Sequence, residues 1–433
     1  MRVIAIVGAG QAGLQTAIAL LKKGFSVSLF TNRSAKQVLE GRILSSQGMF
    51  HTALANEKAL GLNFWDDICP QNKQVTFSLG MPQQAKRALF WQGTTHKFYQ
   101  SVDQRLKFSR WMKEFENLGG DILIQDVGLS ELNKIAKQHE LTLVAGGKSE
   151  ISQAFPINNI RSRFSTPQRV LSCLYVKGVK PAVNSQGVRA NIIPGVGEFF
   201  IMPGLTLNGN CEMMLFEGIP KGKFDCWHGI KNVHEQLTVA KKLLKEFVPW
   251  EAERCLYAEP TDEQAGLIGQ YTPVIRRPYL PLPCGKYAFG LGDTAVLNDP
   301  IAGQGANSAS KAAKLYVDSI IGRGTLPFDQ EWMEETFELN WHNHAKWATK
   351  WSHLLLMPPA PHMVKLLSAA ASSPTISNIL ANAFDDPSTL FPWIMDPEDT
   401  LHAIAAIEKE EQSSKQEQKQ NKTLLSEKMF QLQ

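Results

Sequence analysis

The chain has 433 residues, 43% hydrophobic and 20% charged, enough to bury a full core and too apolar for global disorder. Its 45 basic and 41 acidic residues leave a net charge of +4, too small and too dispersed for a nucleic-acid footprint. Cys69, Cys173, Cys211, Cys226, Cys255 and Cys284 form no CxxC pair, which argues against a zinc ribbon, an iron–sulfur site or a redox disulfide and for idle thiols in a reducing compartment. The length predicts two or three domains, or one large fold with an insertion. The apolar run Val3 to Leu21 is interrupted by three glycines, two glutamines and a threonine, and only Arg2 precedes it as a charge. It therefore reads as neither a signal peptide nor a membrane span, and a cytoplasmic protein is expected.

Val3 to Val7 is the β-branched run of a buried parallel strand. Gly8-Ala9-Gly10-Gln11-Ala12-Gly13 follows, then Leu14, Ala17, Ile18 and Leu21 at helical spacing, Gly24 as a C-cap, and Phe25 to Phe30 as the next strand. This is a βαβ unit with GxGxxG at the strand-to-helix turn, the pattern that seats a pyrophosphate on a helix N-terminus. An acid to hold the ribose hydroxyls is expected about 20 positions on. Asn32 stands there, 19 residues after Gly13, with Arg33 beside it. Asn32 can hydrogen-bond a ribose without charge, and Arg33 can stack on adenine or meet a phosphate. The first motif thus leaves the identity of the dinucleotide open.

Further along, Arg105 precedes a helical pattern of Trp111, Phe115 and Leu118, and Glu140 to Gly147 reads as a strand ending in a glycine pair. Residues 165–275 alternate apolar and polar positions between Gly and Pro turns, as in Val170 to Val176 and Cys211 to Phe216, which predicts an antiparallel sheet. Phe200, Met202, Met213 and Met214 can line a pocket there or simply fill core. After the strand-like Tyr287-Ala288-Phe289 comes Gly290-Leu291-Gly292-Asp293, then Pro300-Ile301-Ala302-Gly303-Gln304-Gly305-Ala306-Asn307 leading into a helix. No second GxGxxG occurs, so one dinucleotide site is expected. Residues 330–405 read as helical and rich in tryptophan. His342, His344 and His353 lie nearby, but no metal-ligand spacing completes a site. From Glu408 to Lys428 the sequence turns polar and is expected to be disordered.

Glycines 8 to 13 and the Gly292-Asp293 to Asn307 block resemble the FAD-dependent monooxygenases with a glutathione-reductase-like Rossmann fold. The resemblance implies that Asp293 holds a ribityl hydroxyl, that Pro300 and the glycine turn lie against the isoalloxazine, and that Arg105 contacts flavin, a solvated helix-start arginine being the alternative. Arg42-Ile43-Leu44-Ser45-Ser46-Gln47-Gly48-Met49-Phe50-His51, the stretch Val102 to Leu106 and the Gly290 to Asn307 block together look like the styrene and indole monooxygenases, oxygenase components of two-component flavoenzymes. The likeness runs from Met1 to about Asp399. Ser45, Gln47 and Met49 are similar to the indole type, whether they touch substrate or only pack under the flavin. Glu198-Phe199-Phe200-Ile201-Met202-Pro203 lacks the two tryptophans of the related tryptophan halogenases.

The resemblance thus implies a discontinuous FAD-binding Rossmann domain over 1–70, 101–160 and 276–328. A β-sheet substrate domain over 71–100 and 161–275, a helical region over 329–407 and a polar tail over 408–433 complete it. Catalytic candidates are Arg42, Ser45, Gln47, Met49 and Pro300. Cofactor candidates are Gly8, Ala9, Gly10, Gly13, Asn32, Arg33, Arg42, Arg105, Gly292, Asp293, Pro300, Gly303, Gln304, Gly305, Ala306 and Asn307. Substrate candidates are Ser45, Gln47, Met49, Phe200 and Met202, and no metal is expected. The implied chemistry is epoxidation or hydroxylation of indole or a vinyl arene by a C4a-hydroperoxyflavin formed from O2 and reduced FAD. That FAD is expected from a separate NADH-dependent flavin reductase, and the substrate is small, apolar and aromatic. No membrane or nucleic-acid partner is expected, and a homodimer is one option for the oligomeric state. A single-component aromatic hydroxylase, another FAD oxidoreductase and, more remotely, a non-enzymatic binding protein of the same fold are the alternatives.

Overall fold

The computed structural model describes residues 2–81, 86–183, 186–391 and 393–430. Val3–Val7, Gln11–Lys22 and Ser26–Thr31 form the expected strand, helix and strand. Ile4, Ala5 and Ile6 are fully buried, because sheet neighbours and helices cover both faces of their strand. Val3–Val7 pairs in parallel with Ser26–Thr31 on one side and with Leu141–Val144 on the other. The six-stranded sheet runs in the order 279–281, 287–290, 141–144, 3–7, 26–31, 121–124. Lys23 caps the first helix and Gly24 follows at φ +82°, its N–H reaching the carbonyl of Leu21 at 2.9 Å.

A second sheet of eight strands is built from Asn72–Met81, Lys86–Tyr99 and six segments between 170 and 270. Its pairs are antiparallel except where Asn72–Met81 meets Gly187–Ile193, two strands joined by a long excursion through the first sheet. Phe199, Phe216 and Leu174 on its buried face pack against Leu237, Ala240 and Leu244 of the helix Val233–Phe247. That helix departs from the all-sheet reading of 165–275. Its start is fixed by Asn232, whose side chain accepts from the Glu235 N–H at 2.9 Å.

The C-terminal region is helical, and a π-turn at Trp341–Ala345 joins Gln330–Asn340 to Lys346–Leu356. Its helix Pro374–Asn382 covers the outer edge of Lys86–Tyr99. Asn378 and Asn382 accept from the Thr94 and His96 N–H groups, each at 2.7 Å, so the exposed strand edge is satisfied. The last helix runs over Pro397–Phe430. This corrects the expectation of a disordered tail. Glu, Lys and Gln are strong helix formers, and Glu411 anchors the helix by accepting from Ser373 and Thr375, each at 2.9 Å. No helix among the described residues is long and apolar enough to cross a membrane.

Candidate active site

One cavity of about 1180 Å³ lies between the two sheets. Its dinucleotide end is lined by Gly8 to Ala12, by Thr31 to Arg33, by Gln125 to Leu129 and by Ala145 to Glu150. Its other end is apolar, with Tyr99, Val188, Phe200, Met202, Leu215 and Phe384 on the wall. Asp293, Pro300, Ile301, Gly303, Gly305 and Ala306 also line it.

The glycine turn explains its own composition. Gly8 sits at φ +113°, where a side chain would be strained and a Cβ would lie 2.3 Å from the Ala145 carbonyl oxygen. A Cβ on Gly13 would lie 1.9 Å from the Gly8 oxygen, so helix and strand could not pack. At Gly10 a Cβ would meet nothing within 4 Å, because that side of the turn faces the cavity. The helix Gln11–Lys22 has no side-chain cap at Gly10, which leaves its first N–H groups aimed at an anion. Gln11 Oε1 and Asn298 Oδ1 are buried acceptors on the wall with no donor of their own among the described residues. An FAD brings hydroxyl and N–H donors for such acceptors and a diphosphate for the turn. The residues present therefore fit that cofactor.

Charge is distributed unevenly. Arg33, half-buried on the wall, is pushed down by burial and by the neighbouring Arg42 guanidinium. Asp293 is pushed up by burial, against the attraction of Lys148 and Arg276. Lys148 faces the cavity with its Nζ 3.7 Å from the Tyr271 ring centroid, and burial lowers it against Asp293 and Asp299. The apolar end is held rigidly. Phe50 stacks on Tyr99 at 4.7 Å and on Phe384 at 5.8 Å. The Tyr99 hydroxyl donates to the Gln74 carbonyl and accepts from the Val188 N–H, each at 2.6 Å.

Of the residues singled out from sequence, Gly8, Ala9, Gly10, Asn32, Arg33, Ser45, Gln47, Phe200, Met202, Asp293, Pro300, Gly303, Gly305 and Ala306 come together on this wall. Arg42, Met49, Arg105, Gly13, Gly292, Gln304 and Asn307 stand off it. Arg42 is exposed, close to Arg33. Met49 is buried and bridges to Gln100. Asn307 is fully buried behind the wall, accepting from Phe50 N–H and donating to the Gly48 carbonyl, each at 2.8 Å. Gln304 donates to the carbonyls of Ala302 and Phe384 at 3.1 and 2.9 Å. Arg105 is 1% exposed and chelated by Asp103 at 2.7 Å and Asp262 at 2.9 Å, so it is neither the solvated arginine nor a group on the wall. Gln47 donates to the Val102 carbonyl at 3.1 Å and accepts from Gln104 at 2.8 Å, which fixes its amide. Tyr271, Asn298, Lys148 and Phe384 were not singled out: Tyr271 and Phe384 sit in loops without a motif, and Asn298 and Lys148 stand between or just beyond the motif positions that were read.

Several known proteins are similar. The family model described as "Styrene monooxygenase A putative substrate binding domain" matches residues 147–254. The styrene monooxygenase StyA of Pseudomonas fluorescens is 26% identical over 404 residues, covering 91% of this chain and 95% of that one. A flavoprotein/dehydrogenase from Cytophaga hutchinsonii superposes with a TM-score of 0.64 at 16% identity, over 94% of this chain and 99% of that one. The flavin-dependent brominase Bmp2, as a triple mutant, superposes with a TM-score of 0.62 at 15% identity, over 94% and 99%.

The fold is the one these flavin-dependent proteins share, and the cavity combines a dinucleotide turn with an apolar wall, which suits FAD. Within that group the chain is similar, over most of its length, to the styrene monooxygenase StyA, and residues 147–254 match the substrate-binding-domain model of that enzyme.

Proposed function

We propose that this chain oxygenates the 2,3 double bond of indole or the vinyl group of a styrene-like arene, using reduced FAD supplied by a separate NADH-dependent flavin reductase. The observation that carries the reading is the single cavity that joins a dinucleotide turn to a rigid apolar wall. Bound FAD, once reduced, supplies the electrons that activate O2. The protein's part is binding, orientation and exclusion of water.

In this reading Gly8 to Ala12 and Arg33, on the cavity wall, would hold the diphosphate half, and Asp293 a ribityl hydroxyl. The Pro300 to Ala306 turn forms the wall against which a flat ring can rest, and the helix Gly305–Gly322 directs its N-terminal dipole there. Phe200, Met202 and Leu215 offer a small arene an apolar surface, closed by Phe50 and by Phe384 of the helical region. Tyr175 donates from its hydroxyl to the Ser45 carbonyl at 2.5 Å, fixing the segment that carries Ser45 and Gln47. The Ser45, Gln47 and Met49 pattern favours indole over styrene. Met49 enters this reading as packing beneath the segment, since it lies off the wall.

Expression in indole-producing cells with a flavin reductase tests the reading. Blue pigment that vanishes in a folded Asp293→Ala variant is the expected result. Rapid substrate-dependent turnover by the purified chain with NADH and FAD alone would overturn the external supply of electrons.

A further inference from the structure

Along the strands Gly197–Thr206 and Gly209–Gly218, residues two apart share a face, and Met202, Phe200 and Glu198 lie opposite Met213, Leu215 and Glu217. Phe200, Met202 and Leu215 line the cavity. The next rung on that face is therefore a pair of acids, Glu198 and Glu217, 5% and 0% exposed. Arg169 takes Glu198 with two bonds of 2.6 and 2.8 Å. Glu217 is left without a cation, and neither of its oxygens meets a donor among the described residues. Its neighbour is Asp299, 3% exposed, which accepts one N–H from Ile301 at 3.2 Å and stands between Asn298 and Pro300 of the cavity wall. Two buried carboxyls in contact, with the nearby guanidinium already committed, cannot both ionise. Burial raises both, Glu217 the more strongly; the Asp299 charge raises Glu217 further, the hydrogen bond between the two favours the ionised form of Asp299, and Glu198 repels both. The other charged or titratable groups facing this corner are Lys148, Tyr271 and Asp293. Lys148 attracts Asp299 but sits over Tyr271 and makes no ion pair with it.

We propose that Glu217 and Asp299 share one proton at neutral pH, and that this pair supplies the proton the oxygenation consumes. The inference rests on the monooxygenase reading above. In the overall reaction, substrate, O2, anionic reduced FAD and one proton give oxygenated product, oxidised FAD and water. Reduced FAD is oxidised by two electrons, one oxygen atom enters the product, and the other becomes water. That water needs two protons, and anionic reduced FAD carries one. The pair gives the other and is refilled from solvent. Glu217 and Asp299 are positioning residues, since they stand one residue behind the wall and act through the corner made by Asn298 and Tyr271, whose hydroxyl donates to the Asn298 carbonyl at 3.2 Å.

Two readouts test this. In FAD-free protein at neutral pH, the infrared spectrum should contain the carbonyl band of a protonated carboxyl that shifts in D2O and is lost in Glu217→Gln. With reductase and substrate, the rate of Glu217→Gln should fall at least tenfold below wild type at pH 8, and the gap should close toward pH 6 as solvent protons substitute. Asp299→Asn should steepen the pH profile in the same sense, and serves if Glu217→Gln does not fold. A wild-type protein with no protonated carboxyl at neutral pH, or variants slowed by one constant factor at every pH, would overturn the proposal. If wild type makes no product from indole or styrene, the substrate reading fails instead, and the infrared result still decides the state of the pair.

Discussion

At the scale of single residues, the three glycines of the first turn do different work, and substitution should separate them. A methyl on Gly13 must displace the Gly8 carbonyl, 1.9 Å from where it would stand. Gly13→Ala should therefore cost about 1–3 kcal/mol of stability, as overpacking does, seen as a lower urea midpoint. A methyl on Gly10 meets only the cavity, and the backbone there, at φ −93° and ψ −167°, suits alanine. Gly10→Ala should shift stability by less than about 1 kcal/mol and weaken FAD binding roughly tenfold or more, about 1.4 kcal/mol, in a fluorescence titration. These glycines and Asp293 were legible in the sequence because their roles are local: a turn, a strand end, a helix start. Asn298, Tyr271 and Lys148 were not legible. Each reaches the cavity through a loop whose course is set by tertiary packing.

At the scale of elements, the sheet insertion and the first sheet are clamped together by Arg105. The helix Gln104–Asn117 begins at Asp103, whose carboxylate accepts from the Arg105 N–H at 2.8 Å and from its guanidinium. The same guanidinium takes Asp262 of the insertion with two bonds of 2.9 Å. Asp262 is held below the usual carboxylate range because hydrogen bonds and charge from Arg105 outweigh its partial burial. Arg105→Ala leaves Asp103 fully buried without its partner, and should cost about 3–5 kcal/mol in urea unfolding. Arg105→Lys should recover only part, because one ammonium cannot fork to two carboxylates. Periodicity found the helix of Arg105 and the strands of the insertion. It missed the clamp because Asp103 and Asp262 are 159 positions apart, and it missed Val233–Phe247 because alternating strands surround that helix on both sides. The last helix was misread for a different reason. Its Glu, Lys and Gln residues have the composition of disorder and also high helix propensity, and contacts such as those of Glu411 decide between them.

At the scale of the whole molecule, both sheets and the helical region converge on one cavity, and the cost of building it is a set of buried titratable groups whose effects on stability oppose one another. Glu212 is pushed up to about 7, by burial first, with Arg254 opposing. Glu217 is raised further, again by burial first. A carboxyl raised in the folded state stabilises fully below its unfolded value, near 4.5, and that contribution is lost as pH rises through the folded value. His353 runs the other way. Burial first, then Arg163, push it down to about 4 from 6.5, and Phe164 packs edge-on against its ring at 5.1 Å. Its contribution is present above 6.5 and is lost as pH falls toward 4. Between about pH 4.5 and 6.5 His353 offsets one of the carboxyl terms, so the unfolding midpoint should fall more slowly there than the carboxyls alone would make it. Above that window the carboxyls alone remain, and the thermal midpoint should fall by several degrees between pH 6.5 and 8.5, at about 1.4 kcal/mol per unit for each group still titrating. Thermal melts across this range check the balance from both ends. Glu217→Gln should flatten the alkaline decline, because an amide keeps the shape and loses no proton. His353→Gln should gain midpoint more steeply than wild type as pH is lowered from 6.5 to 4.5, because the histidine no longer offsets the carboxyl terms. A wild-type midpoint that rises steadily from pH 6.5 to 8.5 would mean that Glu217 is ionised in the folded protein.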